Sequence, residues 1–94
     1  MKAQLLMKQR LVLSSTLFAE VVIWKVPSAV RGSLHPYKYR LALVDNGTCV
    51  VRYDNEAGKG NHKHVGDEEV PYRFRGVETL LADFSHDINT WRQP

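Results

Sequence analysis

Six apolar residues near the end of the chain, Val77, Leu80, Leu81, Phe84, Ile88 and Trp91, fall at offsets of 0, 3, 4, 7, 11 and 14 and so form one stripe of an α-helix. A helix with a single apolar stripe has to lay it on another element, so the remainder of this 94-residue chain must supply a complementary apolar face. Gly76 stands at the N-cap, Glu78 suits the positive helix start, and Pro94 lies beyond the end. The outward side of the helix is expected to carry Glu78, Asp83, His86 and Asp87, an anionic surface that turns away from phosphate and is available to a protein partner.

The preceding chain reads as strands. Residues 3–13 and 17–26 are rich in Leu, Val, Ile, Phe and Trp, and Ser14, Ser15 and Thr16 between them predict a hairpin that sets Arg10 opposite Glu20. Residues 27–36, with two prolines, a glycine and two serines, leave the sheet. Tyr37 to Val44 alternates, with Tyr37, Tyr39, Leu41 and Leu43 on one side. Two registers compete for the next hairpin. A three-residue loop with Gly47 left-handed keeps the faces apart and pairs Leu41 with Val51, Tyr39 with Tyr53, and Arg40 with Arg52; a two-residue Asn46-Gly47 turn mixes them. Residues 70–75 fit a short edge strand because Pro71 cannot serve inside a central one. The expected architecture is α+β: one domain over residues 1–94, with a four- to five-stranded antiparallel meander and the C-terminal helix packed on one face.

Composition narrows the function classes. With 44% hydrophobic and 24% charged residues the chain is too apolar for disorder. The lone Cys49 cannot form an internal disulfide, and Lys2, Lys8, Gln9 and Arg10 break the apolar run that a signal peptide or membrane helix needs, so a cytoplasmic protein with no membrane partner is expected. Residues 1–65 carry ten Lys/Arg against four Asp/Glu, whereas residues 66–94 carry three against six. A basic body of this kind fits a phosphate-rich partner, and fits equally a mixed surface with no such role.

The segment Tyr53 to His64 (YDNEAGKGNHKH) holds most of the reactive side chains. Gly58-Lys59-Gly60 lets the backbone approach a ligand while the Lys59 ammonium reaches it, although the spacing is not that of a phosphate-binding P-loop. On extended backbone His62 and His64 point to the same side with Cα atoms roughly 6.5 to 7 Å apart. Two imidazoles so placed can bracket one phosphodiester, one taking the proton of an attacking 2′-hydroxyl and the other protonating the leaving oxygen, with Lys59 stabilising the phosphorane. The rival chemistry is metal binding by His62, His64 and a third ligand, Asp54 or His35; the plain alternative is a solvated hairpin tip. Lys38, Arg40, Arg52 and Lys63 are the candidate contacts to single-stranded RNA, with His35, Asp54 and Glu56 as further site candidates.

Five blocks in order, VVIWKVP, HPYKYRLALV, YDNEAGKGNHKH, PYRF and VETLLADF, resemble the TumE-type toxins of bacterial type II toxin–antitoxin modules over nearly the whole chain. The resemblance implies a cytoplasmic bacterial protein encoded beside a helix-turn-helix antitoxin, with RNA-cleaving activity. The chain departs from the family pattern at Asn61, where Asp is usual and would have offered an oxygen ligand beside His62, and at Gly76, where Ser or Thr usually caps the helix. The resulting expectation is a metal-independent endoribonuclease without cofactor, in which His62 and His64 act as acid and base and Lys59 stabilises the phosphate. The alternative is a non-catalytic module that binds nucleic acid or protein.

Overall fold

The computed structural model describes residues 3–27, 36–55 and 60–93. Six strands, β1 (Gln4–Val12), β2 (Leu17–Lys25), β3 (Tyr37–Asp45), β4 (Thr48–Asp54), β5 (His62–Val65) and β6 (Glu68–Pro71), form one antiparallel sheet in chain order, followed by α1 (Val77–Arg92). The α+β meander with a C-terminal helix is as expected, but it has six strands rather than four or five. The additional strand is β5, whose His-Lys-His-Val has too little apolar alternation to be read as a strand; it is held by pairing on both sides. The edge strand is Glu68–Pro71; beyond it the Tyr72 N–H still donates to the Asn61 carbonyl at 3.3 Å, and residues 73–76 leave the sheet. Among the described residues no helix is long and apolar enough to cross a membrane.

The first hairpin has Arg10 opposite Glu20, and the Ser14 hydroxyl accepts from the Thr16 and Leu17 amides at 3.2 and 3.1 Å to close the turn. The expected β3–β4 register is corrected. The connection is the two-residue Asn46-Gly47 turn, with φ of 52° and 82°, followed by a bulge between the Val44↔Cys49 and Leu43↔Val51 pairs. Positive φ at both central residues matches the strand twist, and the extra residue, Val50, restores the separation of faces. Leu41 therefore lies opposite Tyr53, Arg40 opposite Asp54, and Arg52 opposite Ala42, so the two arginines are not cross-strand partners. The connection after β2 is closed at its base by Val26 N–H donating to Pro36 O at 2.9 Å; residues 28–35 lie outside the described residues.

One face of the sheet carries the core, built from Leu17, Ala19, Val21 and Ile23 of β2, Tyr39, Leu41 and Leu43 of β3, and Val51 and Tyr53 of β4. Leu80 and Phe84 of the helix stripe are buried against it, with Val77, Leu81 and Ile88 partly covered, while Trp91 is 43% exposed and donates its indole N–H to Asp45. Tyr72 and Phe74 fill the space beside the helix, Phe74 stacking on Tyr39 at 5.6 Å and Tyr72 meeting Tyr53 edge-on at 4.9 Å. With this face occupied, the alternate side chains of β3 to β6 emerge on the other.

Candidate functional site

Cross-strand pairing places Arg40, Asp54, His62 and Pro71 in one row across β3 to β6, and Ala42, Arg52, His64 and Glu69 in the next. Both rows lie on the face opposite the helix because their neighbours Leu41, Tyr53 and Lys63 point into or along the core side. Residues far apart in sequence thus become neighbours through the ladder alone.

Arg52 is central. Its Nε lies 3.0 Å from Asp54 Oδ2 and its Nη2 lies 2.9 Å from His64 Nε2. A guanidinium has no acceptor, so His64 Nε2 accepts, and the neutral ring carries its proton on Nδ1. His64 Nε2 is also 3.7 Å from Glu69 Oε2. His62 is 5% exposed and both its nitrogens face oxygens: Nδ1 approaches the Gly60 carbonyl at 3.2 Å, and Nε2 makes an ion-pair contact with Asp54 Oδ1. With an oxygen facing each nitrogen, the His62 ring is fixed in place. The two rings stand edge to face with centroids 5.1 Å apart. Arg52 Nε and Asp54 Oδ1 are buried without an aligned hydrogen-bond partner, so charge and proximity rather than hydrogen-bond geometry hold this corner together.

The scaffold beneath is rigidified by amides. Asn55, 1% exposed, accepts from the Tyr39 amide at 2.9 Å and donates to the Tyr37 carbonyl at 2.6 Å, extending the β3–β4 ladder by side chain where the strand ends. Asn61 Oδ1 accepts from the Tyr39 hydroxyl at 2.9 Å, which ties the start of β5 to β3. Burial, and secondarily the Asp54 charge, push the Tyr39 phenol well above its ordinary value, so it stays a neutral donor.

Lys38 and Arg40 are exposed on this face. They line, with Tyr39, Arg52, Asp54 and Asn55, a depression of about 170 Å³, and a second of about 400 Å³ is lined by Asn61, His62, Glu69, Val70 and Pro71. Lys63 is not brought to the site: it lies on the helix side, where its Nζ is 2.8 Å from Asp87 and 5.2 Å above the Tyr53 ring. His35, Glu56 and Lys59 lie outside the described residues. The expected outward anionic helix face is also corrected. Asp83 accepts from the Tyr72 hydroxyl at 2.6 Å and faces Arg75, while Asp87 accepts from the Tyr53 hydroxyl and pairs with Lys63. Asp83 and Asp87 sit three residues after Leu80 and Phe84 and so flank the apolar stripe; Glu78 and His86 remain exposed. Sequence reasoning missed Asn55 and Glu69; Glu69 becomes visible only once β5 and β6 are known to pair. Asp54, His62 and His64 each offer one ligand atom, all within 4.8 Å of one another.

Comparison with known proteins returns a family model described as Toxin TumE, which matches residues 2–92. No curated protein and no solved structure matches.

Proposed function

The chain belongs to the TumE toxin family, and from that premise we propose that it is a toxin of a type II toxin–antitoxin module that cleaves RNA without a metal ion. The observation that carries the reading is the pair of imidazoles on the sheet face opposite the helix, His62 buried directly against Asp54 and His64 joined to the same carboxylate through Arg52, with Lys38 and Arg40 alongside. In this reading His64, whose Nε2 is unprotonated, takes the proton of the attacking 2′-hydroxyl as Arg52 turns toward the phosphate. His62, the ring poised between two oxygens, supplies a proton to the leaving 5′-oxygen, with Asp54 orienting it. Arg52 stabilises the charge that builds on the phosphorane, with Lys59 beside Gly60 as second cation, and Lys38 and Arg40 hold the RNA backbone. The proposed cognate partner is a helix-turn-helix antitoxin that inhibits by covering this face, in a cytoplasmic setting.

A second reading, a non-catalytic binding module, is favoured by the burial of His62, both of whose nitrogens are engaged. Incubation of the purified protein with a labelled single-stranded transcript in EDTA separates the two. Cleavage that disappears in His64→Ala and in His62→Ala supports the enzyme; salt-sensitive binding without cleavage leaves the module.

A further inference from the structure

The cluster assigned to proton transfer has a second capacity. We propose that Asp54, His62 and His64 bind one divalent first-row transition-metal ion of the Zn²⁺ class in competition with Arg52, and that occupancy inhibits RNA cleavage. The inhibitory half rests on the nuclease reading; the binding half stands on the geometry alone.

Four observations converge. The three ligand atoms lie within 4.8 Å of one another, and tetrahedral zinc with bonds of about 2.0–2.2 Å needs them at roughly 3.3–3.5 Å, a change that modest side-chain rotations supply. His62 Nδ1 faces the Gly60 carbonyl at 3.2 Å, the outer contact that fixes a ligating imidazole and leaves Nε2 for the ion. Asp54 Oδ1 is buried against His62 Nε2 without an aligned hydrogen bond, so two of the three ligand atoms already face each other. Imidazole and carboxylate donors together suit zinc, nickel, cobalt or copper rather than calcium or magnesium, which take oxygen cages. Glu69 Oε2, 3.7 Å from His64 Nε2, is within reach as a fourth ligand.

The space is already arranged around a positive charge. Arg52 contacts Asp54 and His64 at 3.0 and 2.9 Å, so a metal and the guanidinium cannot occupy the cluster together. The Arg52 side chain is 32% exposed and has an open path to solvent through the depression it shares with Lys38 and Arg40. An ion that binds there takes the Nε2 lone pairs of both histidines, the same positions at which a proton would be taken up or released, so the loaded protein has neither base nor acid.

The test uses the whole chain with Cys49→Ser, which removes the exposed thiol as a competing ligand. Zn²⁺ is titrated calorimetrically, and Co²⁺ is added as a spectroscopic probe. One ion per chain, a four-coordinate Co²⁺ absorption spectrum, and an affinity loss in His64→Ala of at least the roughly tenfold that removal of an outer contact costs are expected. His64→Gln, which keeps a polar side chain, is the second variant in case the first does not fold. Arg52→Gln is expected to bind Zn²⁺ more tightly than the parent, because its competitor is gone; a merely adventitious surface site would not respond to that change. Absence of binding, unchanged affinity in both His64 variants, or weaker binding in Arg52→Gln overturns the site. Cleavage that rises with added Zn²⁺ overturns the inhibitory role, and absence of cleavage under every condition sinks the nuclease reading while the titration still decides binding.

Discussion

Removal of the Asp87 carboxylate is the perturbation whose cost the structure specifies most closely. Asp87 accepts from the hydroxyl of Tyr53, a residue 1% exposed, and pairs with Lys63 at 2.8 Å. In Asp87→Ala the phenol loses its acceptor inside the helix–sheet interface, which costs about 1–3 kcal/mol for an unsatisfied buried group. The broken ion pair, both of whose side chains are partly exposed (24% and 18%), is screened and adds only about 0.2–1 kcal/mol. A total near 2–3 kcal/mol is expected, and at about 4–8 °C per kcal/mol for a chain of this size the melting temperature falls by roughly 8–24 °C. Tyr53→Phe alone removes one charge-assisted bond and should cost about 1.5–3 kcal/mol. In the double variant no hydroxyl is left unsatisfied, so Tyr53→Phe should cost close to nothing once Asp87 is gone. Urea unfolding of the parent, both single variants and the double variant measures the coupling. Additivity within about 0.3–0.5 kcal/mol would refute the reasoning, since it would mean that the phenol and the carboxylate do not depend on each other.

Three further outcomes follow from the same geometry. The phenols of Tyr39, Tyr53 and Tyr72 are all pushed well above their ordinary value near 10, in each case by burial first, then by Asp54, Asp87 and Asp83 respectively. Their contribution to stability is complete below about pH 10 and fades as pH rises beyond it, because only the unfolded chain releases those protons there; phenolate absorbance should therefore appear together with loss of circular dichroism, and ionisation of these tyrosines in the intact fold near pH 10 would contradict the assignment. Gly47→Ala should destabilise by about 1–2 kcal/mol in denaturant titration, purely through the backbone, since φ is +82° and an added Cβ meets nothing within 4 Å. Lys38→Ala combined with Arg40→Ala should leave the melting temperature nearly unchanged and flatten the salt dependence of RNA binding by about 0.7 for each phosphate no longer neutralised; an unchanged slope would move the RNA to another surface.

Local pattern was enough for the elements whose neighbours are close in sequence. The apolar stripe of α1, the Arg10–Glu20 register of the first hairpin and the inward set Tyr39, Leu41 and Leu43 of β3 are all legible because a period of 3.6 or 2 is a property of the segment itself. The same alternation was enough to set His62 and His64 on one side, since any extended backbone does so. What lay beyond reach depended on partners. His62–Val65 is a strand because β4 and β6 hydrogen-bond to it, and nothing in four mostly polar residues announces that. The two-residue turn and the bulge at Val50 together shifted the β3–β4 pairing by two residues, which preserved the faces yet replaced an Arg40–Arg52 encounter with Arg40 beside Asp54. Lys63 and Asp87 read separately as an RNA contact and an outward helix acid, whereas folding brings them together on the helix side of the sheet. The chemistry of the site was written in residue types; the state of each group, an accepting His64, a buried His62 and an Arg52 spanning Asp54 and His64, arises only when β4 and β5 are laid side by side within the sheet, because charge and hydrogen bonding act over a few ångströms of space and take no account of distance along the chain.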